Sequence, residues 1–219
     1  LQSRILADQA RPKHEAGLPV RALFASRTLW LFFGFYMLSA MAMSGLQTWL
    51  IAVLDKVNGF ELAVGSTTLT CLLVGNSAGT ILGGWVADRF SAALMGFTVG
   101  LTLATAALFG LAAAVGFGPA AMMAVLALAG FAMGASRTPR DVMLKDAAPP
   151  GQIGKVFGFV SSALPFGSAA TPLPFGFLMD HGRPGLVIPL AAVLLLASLL
   201  FMGGAKARVA AGAGVAAAE

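Results

Sequence analysis

The chain has 219 residues, of which 58% are apolar and only 11% are charged, and its mean hydropathy is +0.86. Hydropathy this high excludes an ordinary soluble domain and predicts an integral membrane protein in contact with a lipid bilayer. The formal net charge of +5 raises nucleic-acid binding, but basic and aromatic residues do not interleave, so we expect no nucleic-acid partner.

The single cysteine, Cys71, lies within an apolar run. This excludes a disulfide framework within the chain and a cysteine-rich metal site. We therefore expect no metal and no cofactor.

In chain order, residues 1–27 come first and are polar, with five basic side chains and interrupting prolines and glycines, so we predict a cytoplasmic linker. Six apolar runs follow, each near the roughly 20 residues that a helix needs to cross about 30 Å of hydrocarbon. Together they form a membrane domain over 28–205, and the alanine- and glycine-rich residues 206–219 are predicted to be a disordered cytoplasmic tail. The predicted transmembrane helices cover about 28–54, 62–87, 92–115, 119–136, 156–179 and 186–203.

The basic residues predict the orientation of these helices. Twelve of the fourteen lysines and arginines fall on one side of the predicted membrane, and only Lys56 and Arg183 fall on the other. Because cytoplasmic loops carry the excess of basic residues, both termini are predicted to be cytoplasmic. We expect a bacterial inner (plasma) membrane. The chain begins with Leu1 rather than methionine, so we also expect a piece of a longer protein or a processed chain.

An internal repeat relates the two halves of the domain. Gly84-Trp-Val-Ala-Asp88 closes the second span, and Gly176-Phe-Leu-Met-Asp180 closes the fifth, 92 positions later. Because each copy then holds three helices, the second copy enters the membrane from the opposite side. The pattern predicts two inverted three-helix repeats, which in transporters place a binding site between the copies.

The residues Gly84-x-x-x-Asp88-Arg89 after the second span resemble the signature loop of the major facilitator superfamily, in the form found in its C-terminal half. The stretch from Ser136 to Asp141 resembles that half's long cytoplasmic loop, with Arg137, Arg140 and Asp141 as its charges. The sequence departs from the signature after Arg89, where Phe90 and Ser91 replace a glycine and basic residues.

This resemblance implies half of a twelve-helix secondary active transporter that moves a small solute by alternating access and is not an enzyme. The missing N-terminal six-helix half would be its partner in the same polypeptide. A non-transporting six-helix scaffold or sensor is the alternative. A third hypothesis, an intramembrane hydrolase, rests on Ser77 in Gly75-Asn-Ser-Ala-Gly79, which matches a nucleophile pattern but lies within an apolar helix.

Polar residues inside the spans are candidates for the solute path. Tyr36, Ala40, Met43, Ser44 and Gln47 share one face of the first helix, because they follow its period. By the resemblance, which assigns the path to the first and fourth helices with the second and fifth beside them, our candidates are Tyr36, Gln47, Asn76, Phe131, Ser162 and Phe166.

Three prolines, Pro165, Pro172 and Pro174, interrupt the fifth span. Because proline removes a helical hydrogen bond and bends the helix axis, we predict this helix to be the most easily deformed element. Gly84, Asp88 and Arg89 are predicted to form a cytoplasmic gate motif.

Overall fold

The computed structural model of the chain describes residues 26–90, 93–149 and 151–216, with side chains as far as residue 203. Nearly all of the predicted linker, and residues 217–219 of the predicted tail, lie outside this part. Within it, six helices are long and apolar enough to cross a membrane, and no residue forms a strand. The prediction of an all-helical membrane domain is confirmed.

Three spans are single helices and three are built from shorter pieces. The first three are α1 (Arg27–Asn58), α2 (Leu62–Arg89) and α3 (Leu94–Ala114). The fourth consists of α4 (Pro119–Ala135) and α5 (Arg137–Asp146). The fifth consists of α6 (Ile153–Ser161), α7 (Ala163–Ala170) and α8 (Pro172–Asp180), and the sixth of a 3-10 turn (Pro184–Leu186) and α9 (Val187–Ala216).

The fourth span extends further than the sequence indicated. The predicted loop charges lie on a helix that runs from Arg137 to Asp146, because Ser136 keeps a right-handed helical conformation (φ −76°, ψ −15°) between α4 and α5. Pro139 lies in the first turn of α5, where a missing N–H is tolerated. The charged residues of this segment therefore extend a membrane helix.

The prolines divide the fifth span at two places. Ser162 separates α6 from α7, and Thr171 separates α7 from α8, directly before Pro172. Both junction residues keep right-handed helical torsion angles, so the pieces continue as one span. The lost backbone donors interrupt the hydrogen-bond ladder without ending the span.

The sixth span corrects the prediction for part of the tail. Helix α9 continues to Ala216, through residues that were predicted to be disordered. Alanine has the highest helix propensity, so an alanine-rich segment that follows a membrane helix can prolong it.

Helices α2 and α4 pack with their backbones in contact. A Cβ atom added at Gly79 would overlap the carbonyl oxygen of Phe131, and one added at Gly134 would overlap that of Asn76. In a bilayer the lipid is as apolar as the helix surface, so close approach through small residues drives helix association. We call this contact the glycine seam; its glycines are Gly75, Gly79 and Gly83 of α2 and Gly130 and Gly134 of α4.

The helix contacts have the symmetry that the inverted repeat predicts. The second span packs on the fourth, and the fifth correspondingly packs on the first. The third span packs on the fourth, the sixth packs on the first, and the third and sixth contact each other. Each pairing is converted into its counterpart by exchanging the two three-helix copies.

The glycine seam predicts the effect of adding one methyl group. Gly79→Ala should lower the stability of the detergent-solubilised protein by roughly 2 kcal/mol, because the helices must separate to admit the methyl group. Thermal unfolding followed by size-exclusion chromatography would measure this change.

Gly100→Ala on α3 is the matched control, since a Cβ there meets no atom within 4 Å. It should leave stability unchanged or raise it, because alanine favours helix more than glycine does. Equal destabilisation by both substitutions would contradict the seam.

Candidate functional site

A partly open cavity of about 420 Å³ lies in the bundle and is lined by residues of α1, α3, α4, α5, α6, α7 and α9. Along α1 it lies between two buried apolar clusters. One cluster, around Leu50, Phe109 and Phe175, lies towards the end of α1, and the other, around Leu29 and Val156, lies towards its start. The cavity therefore lies between two buried apolar layers along α1, and some of its lining residues, such as Gln47 and Ser168, are exposed.

One face of α1 supplies much of the lining. Tyr36, Ala40, Met43, Ser44 and Gln47 all border the cavity, as their helical spacing requires. The opposite wall comes from the junction of α4 and α5 and from neighbouring helices. The other lining residues are Phe35, Ser39, Thr102, Thr105, Met133, Ser136, Arg137, Arg140, Asp141, Phe157, Ser161, Leu164, Ser168 and Leu195.

Tyr36, Arg140 and Asp141 form a connected cluster in this lining. The Tyr36 hydroxyl donates a hydrogen bond to Oδ1 of Asp141, and Nε of Arg140 donates to the same oxygen at 3.3 Å. The Arg140 guanidinium carbon lies 3.9 Å from the centroid of the Tyr36 ring. A hydrogen bond and a cation–π contact thus join α1 to α5, and an ion pair links Arg140 to Asp141 within α5.

Burial makes this cluster electrostatically strong. Arg140 is only 7% exposed, whereas the Asp141 side chain is 44% exposed. Removing a guanidinium from water costs several kcal/mol unless the charge is paired and stacked, and both conditions hold for Arg140. Arg137, the second arginine of the lining, is exposed.

Hydroxyl groups in the lining already donate within their own helices. Ser39 donates to the Phe35 carbonyl, Thr102 to that of Thr98, and Thr105 to that of Leu101. Their oxygens keep lone pairs that can accept a hydrogen bond from a solute. The chemistry available here is reversible binding.

Two of the six candidate path residues, Tyr36 and Gln47, line the cavity, as do the three charges Arg137, Arg140 and Asp141. The sequence named these charges as part of a loop, and the structure brings them beside the α1 face. Their contact with a solute stays a prediction.

The other four candidates lie outside the cavity lining. Asn76 is buried in the glycine seam, where its Nδ2 donates to the Gly130 carbonyl at 3.5 Å. The backbone of Phe131 forms part of the same seam. Ser162 donates to the Phe159 carbonyl at 2.6 Å, and Phe166 is 63% exposed. As parts of a solute path these four stay predictions.

The predicted gate motif lies at the end of α2. A Cβ at Gly84 would meet no atom within 4 Å, and it is the adjacent Gly83 that packs against Ala135. Asp88 and Arg89 are exposed, and neither makes a hydrogen bond or ion pair to any other residue that the structure describes. Residues 91 and 92 lie outside the described part.

Ser77, the residue of the hydrolase hypothesis, is exposed and donates its hydroxyl to the Leu73 carbonyl within α2. His181 directly follows α8 and contacts the Phe177 carbonyl at 2.8 Å through Nδ1. Among the described residues, no group of three or more His, Cys, Asp or Glu side chains could hold a metal ion.

Sequence reasoning missed the hydroxyl-bearing wall of the cavity on α3. Thr98, Thr102 and Thr105 are buried and recur at helical spacing in an otherwise apolar span. Polar residues in that pattern mark the interior face of a membrane helix, and this signal could have found Thr102 and Thr105.

Comparisons with known proteins give a family match and a fold match for the chain. The family model described as Major Facilitator Superfamily matches residues 31–216. The structure matches 29 chains of solved structures. One is the crystal structure of a mutant of peptide transporter POT in complex with alafosfalin, with a TM-score of 0.66 and 20% sequence identity. That match covers 87% of this chain and 45% of the transporter, so the chain spans less than half of its length. A comparison with curated proteins finds no match.

The cluster predicts the effect of removing one hydroxyl. Tyr36→Phe should destabilise the detergent-solubilised protein by roughly 2 kcal/mol, because a hydrogen bond to a charged carboxylate is lost. Ser39→Ala removes another buried hydroxyl of α1, but one bonded only within its helix, and should cost less than about 1 kcal/mol. Thermal denaturation would compare the variants, and equal midpoints would contradict a stabilising link between α1 and α5.

Proposed function

Because the chain belongs to the major facilitator superfamily, we propose that it is one six-helix half of a secondary active transporter that moves a small solute by alternating access. Membership of this family confirms the resemblance inferred from the sequence. The observation that carries the proposal is the polar and charged cavity inside the apolar bundle.

Placing polar and charged side chains within membrane spans costs desolvation free energy, which a bundle with only a structural role would avoid. Ionised and polar side chains are rare within membrane spans and face the bundle interior or a solute path where they occur. Here hydroxyls of α1 and α3 and charges of α5 converge on one space of about 420 Å³. Such convergence of polar groups is typical of a solute site.

The proposed partner is a second six-helix half of the same polypeptide. The match to a solved transporter covers 45% of that chain, which is close to the share that one half would have. Gln47 is exposed and Ser44 is half-buried although both line the cavity, so α1 presents polar groups that a second half would enclose. We expect no covalent chemistry and no enzymatic activity.

The fifth span is the element that we propose to move against α1 during transport. Its middle piece, α7, packs closely on α1, since a Cβ at Gly167 would overlap the Met37 carbonyl. Its junctions at Ser162 and Thr171 interrupt the hydrogen-bond ladder. Interrupted helices beside a midplane site are a common means of alternating access.

Solute flux provides the test of the proposed function. The complete transporter, reconstituted in liposomes with a panel of labelled organic acids, amines and sugars, should transport at least one of them, and this chain alone should transport none. Gln47→Trp should lower the flux at least tenfold by filling the cavity, whereas Leu103→Trp, on the exposed face of α3, should not. Flux by the chain alone would contradict a half-transporter, and absence of flux from the complete protein would favour the scaffold.

The charge distribution predicts the orientation. Lys155 lies in the first turn of α6, at the end of the bundle to which the sequence assigns most basic residues. Lys56 lies in the last turn of α1, at the opposite end. In a Cys71→Ser background, a membrane-impermeant maleimide should label Lys56→Cys in intact cells and Lys155→Cys only after permeabilisation. The two lysines are both exposed, so each variant controls the other, and the reverse pattern would contradict cytoplasmic termini.

A further inference from the structure

The geometry points to a recognition site for a carboxylate at the terminal nitrogens of Arg140. This inference rests on the proposed function and adds the chemical class of the solute. We infer that the cavity takes a small organic anion, with its carboxylate on Arg140 and its apolar body against the remaining wall.

Arg140 has donors that the protein leaves without partners. Within the described residues its hydrogen bond to a carboxylate runs from Nε to Asp141, and the guanidinium also interacts with the Tyr36 hydroxyl, so only the remaining terminal N–H groups lack a protein acceptor. Among the described residues, the fully buried side-chain polar atoms without a hydrogen-bond partner are Nε1 of Trp49 and Oε1 of Gln152. No nitrogen of Arg140 is among them, so an Arg140 nitrogen without a partner is not fully buried. Arg140 lines the cavity and is 7% exposed, so we infer that these N–H groups are available to a solute there.

The guanidinium is also fixed in place. The Tyr36 ring lies 3.9 Å from its central carbon, the Phe35 ring lies 5.8 Å away, and Asp141 holds Nε at 3.3 Å. A guanidinium with a fixed plane loses little further entropy when a carboxylate binds its two terminal nitrogens. The remaining pair of N–H groups has the fork geometry that matches a carboxylate.

The charge of the lining favours an anion. Its ionised side chains are Arg137, Arg140 and Asp141, which leaves one net positive charge in the cavity. Charge complementarity of this kind attracts an anion and disfavours a cation of the same shape. A buried charge acts more strongly than a surface charge because water screens it less.

The rest of the wall is suited to an apolar body. Phe35, Met43, Phe157, Leu164 and Leu195 line the same cavity. A volume of about 420 Å³ lies within the usual range for small-molecule sites. Arg140 is only 7% exposed, so we expect a small soluble carboxylate to reach it more easily than a lipid phosphate that carries acyl chains.

Matched ligands that differ in charge would test this site. The complete transporter, purified in detergent, is titrated with sodium benzoate, with neutral benzamide of nearly the same shape, and with cationic benzylamine. Isothermal calorimetry and thermal shift should show binding of benzoate roughly tenfold to a hundredfold tighter than binding of benzamide, and no binding of benzylamine.

Variants of α5 assign the effect to a residue. Arg140→Lys keeps the charge but removes the fork, and should weaken benzoate binding roughly tenfold or more with little change in benzamide binding. Arg140→Gln should abolish the preference for benzoate. Lys145→Gln removes a charge from the exposed side of the same helix and should leave benzoate affinity unchanged. Unchanged melting temperatures without ligand would show that the variants fold.

Equal affinity for benzoate and benzamide, or an unchanged preference in Arg140→Lys, would overturn the inference. So would displacement of benzoate by phosphatidylglycerol in mixed micelles with no displacement by acetate, which would assign the nitrogens to a lipid headgroup. Binding is measured without transport. Selective benzoate binding without any flux therefore contradicts the proposed function, and flux without a carboxylate preference contradicts only this inference.

Discussion

Close contact between helix backbones at the glycine seam is the constraint on which the rest of the bundle depends. The hydrophobic effect contributes little between helices in lipid, so α2 and α4 are held by dispersion across a surface without side chains. Gly79 and Gly134 allow this contact because neither has a Cβ to hold the helices apart. The seam occupies one face of α4, and the face that carries Met133 and Ser136 is thereby turned towards the cavity.

The charged cluster follows from this placement of the fourth span. Because α5 continues α4, the rotation that the seam imposes on α4 is carried on to Arg140 and Asp141. Both residues then meet Tyr36, which lies on the cavity face of α1. Because α1 and α5 form opposite walls of the cavity, the contacts of Tyr36 with Arg140 and Asp141 hold these two walls together.

Sequence patterns predicted the features that depend on local composition. The six spans follow from hydropathy, and the two Gly-x-x-x-Asp segments indicated the inverted repeat. Contacts between distant segments could not be predicted in the same way, because Tyr36 and Asp141 are 105 positions apart. Asn76 was expected beside the solute path since amides seldom face lipid, and the glycine seam offers it a backbone carbonyl instead. The charges of α5 were assigned to a cytoplasmic loop, because hydropathy alone does not show that the fourth span continues through them.

Two pairs of adjacent charged residues differ in how easily a sequence motif identifies them and in how deeply the structure buries them. Asp88 and Arg89 stand in a recognisable signature, yet both are exposed, and neither pairs with another described residue. Arg140 and Asp141 stand in a segment without such a signature, yet Arg140 is buried and stacked on an aromatic ring. Low local dielectric strengthens every interaction that a buried charge makes. We therefore expect discrimination between solutes of different charge to depend on α5 more than on the signature after α2.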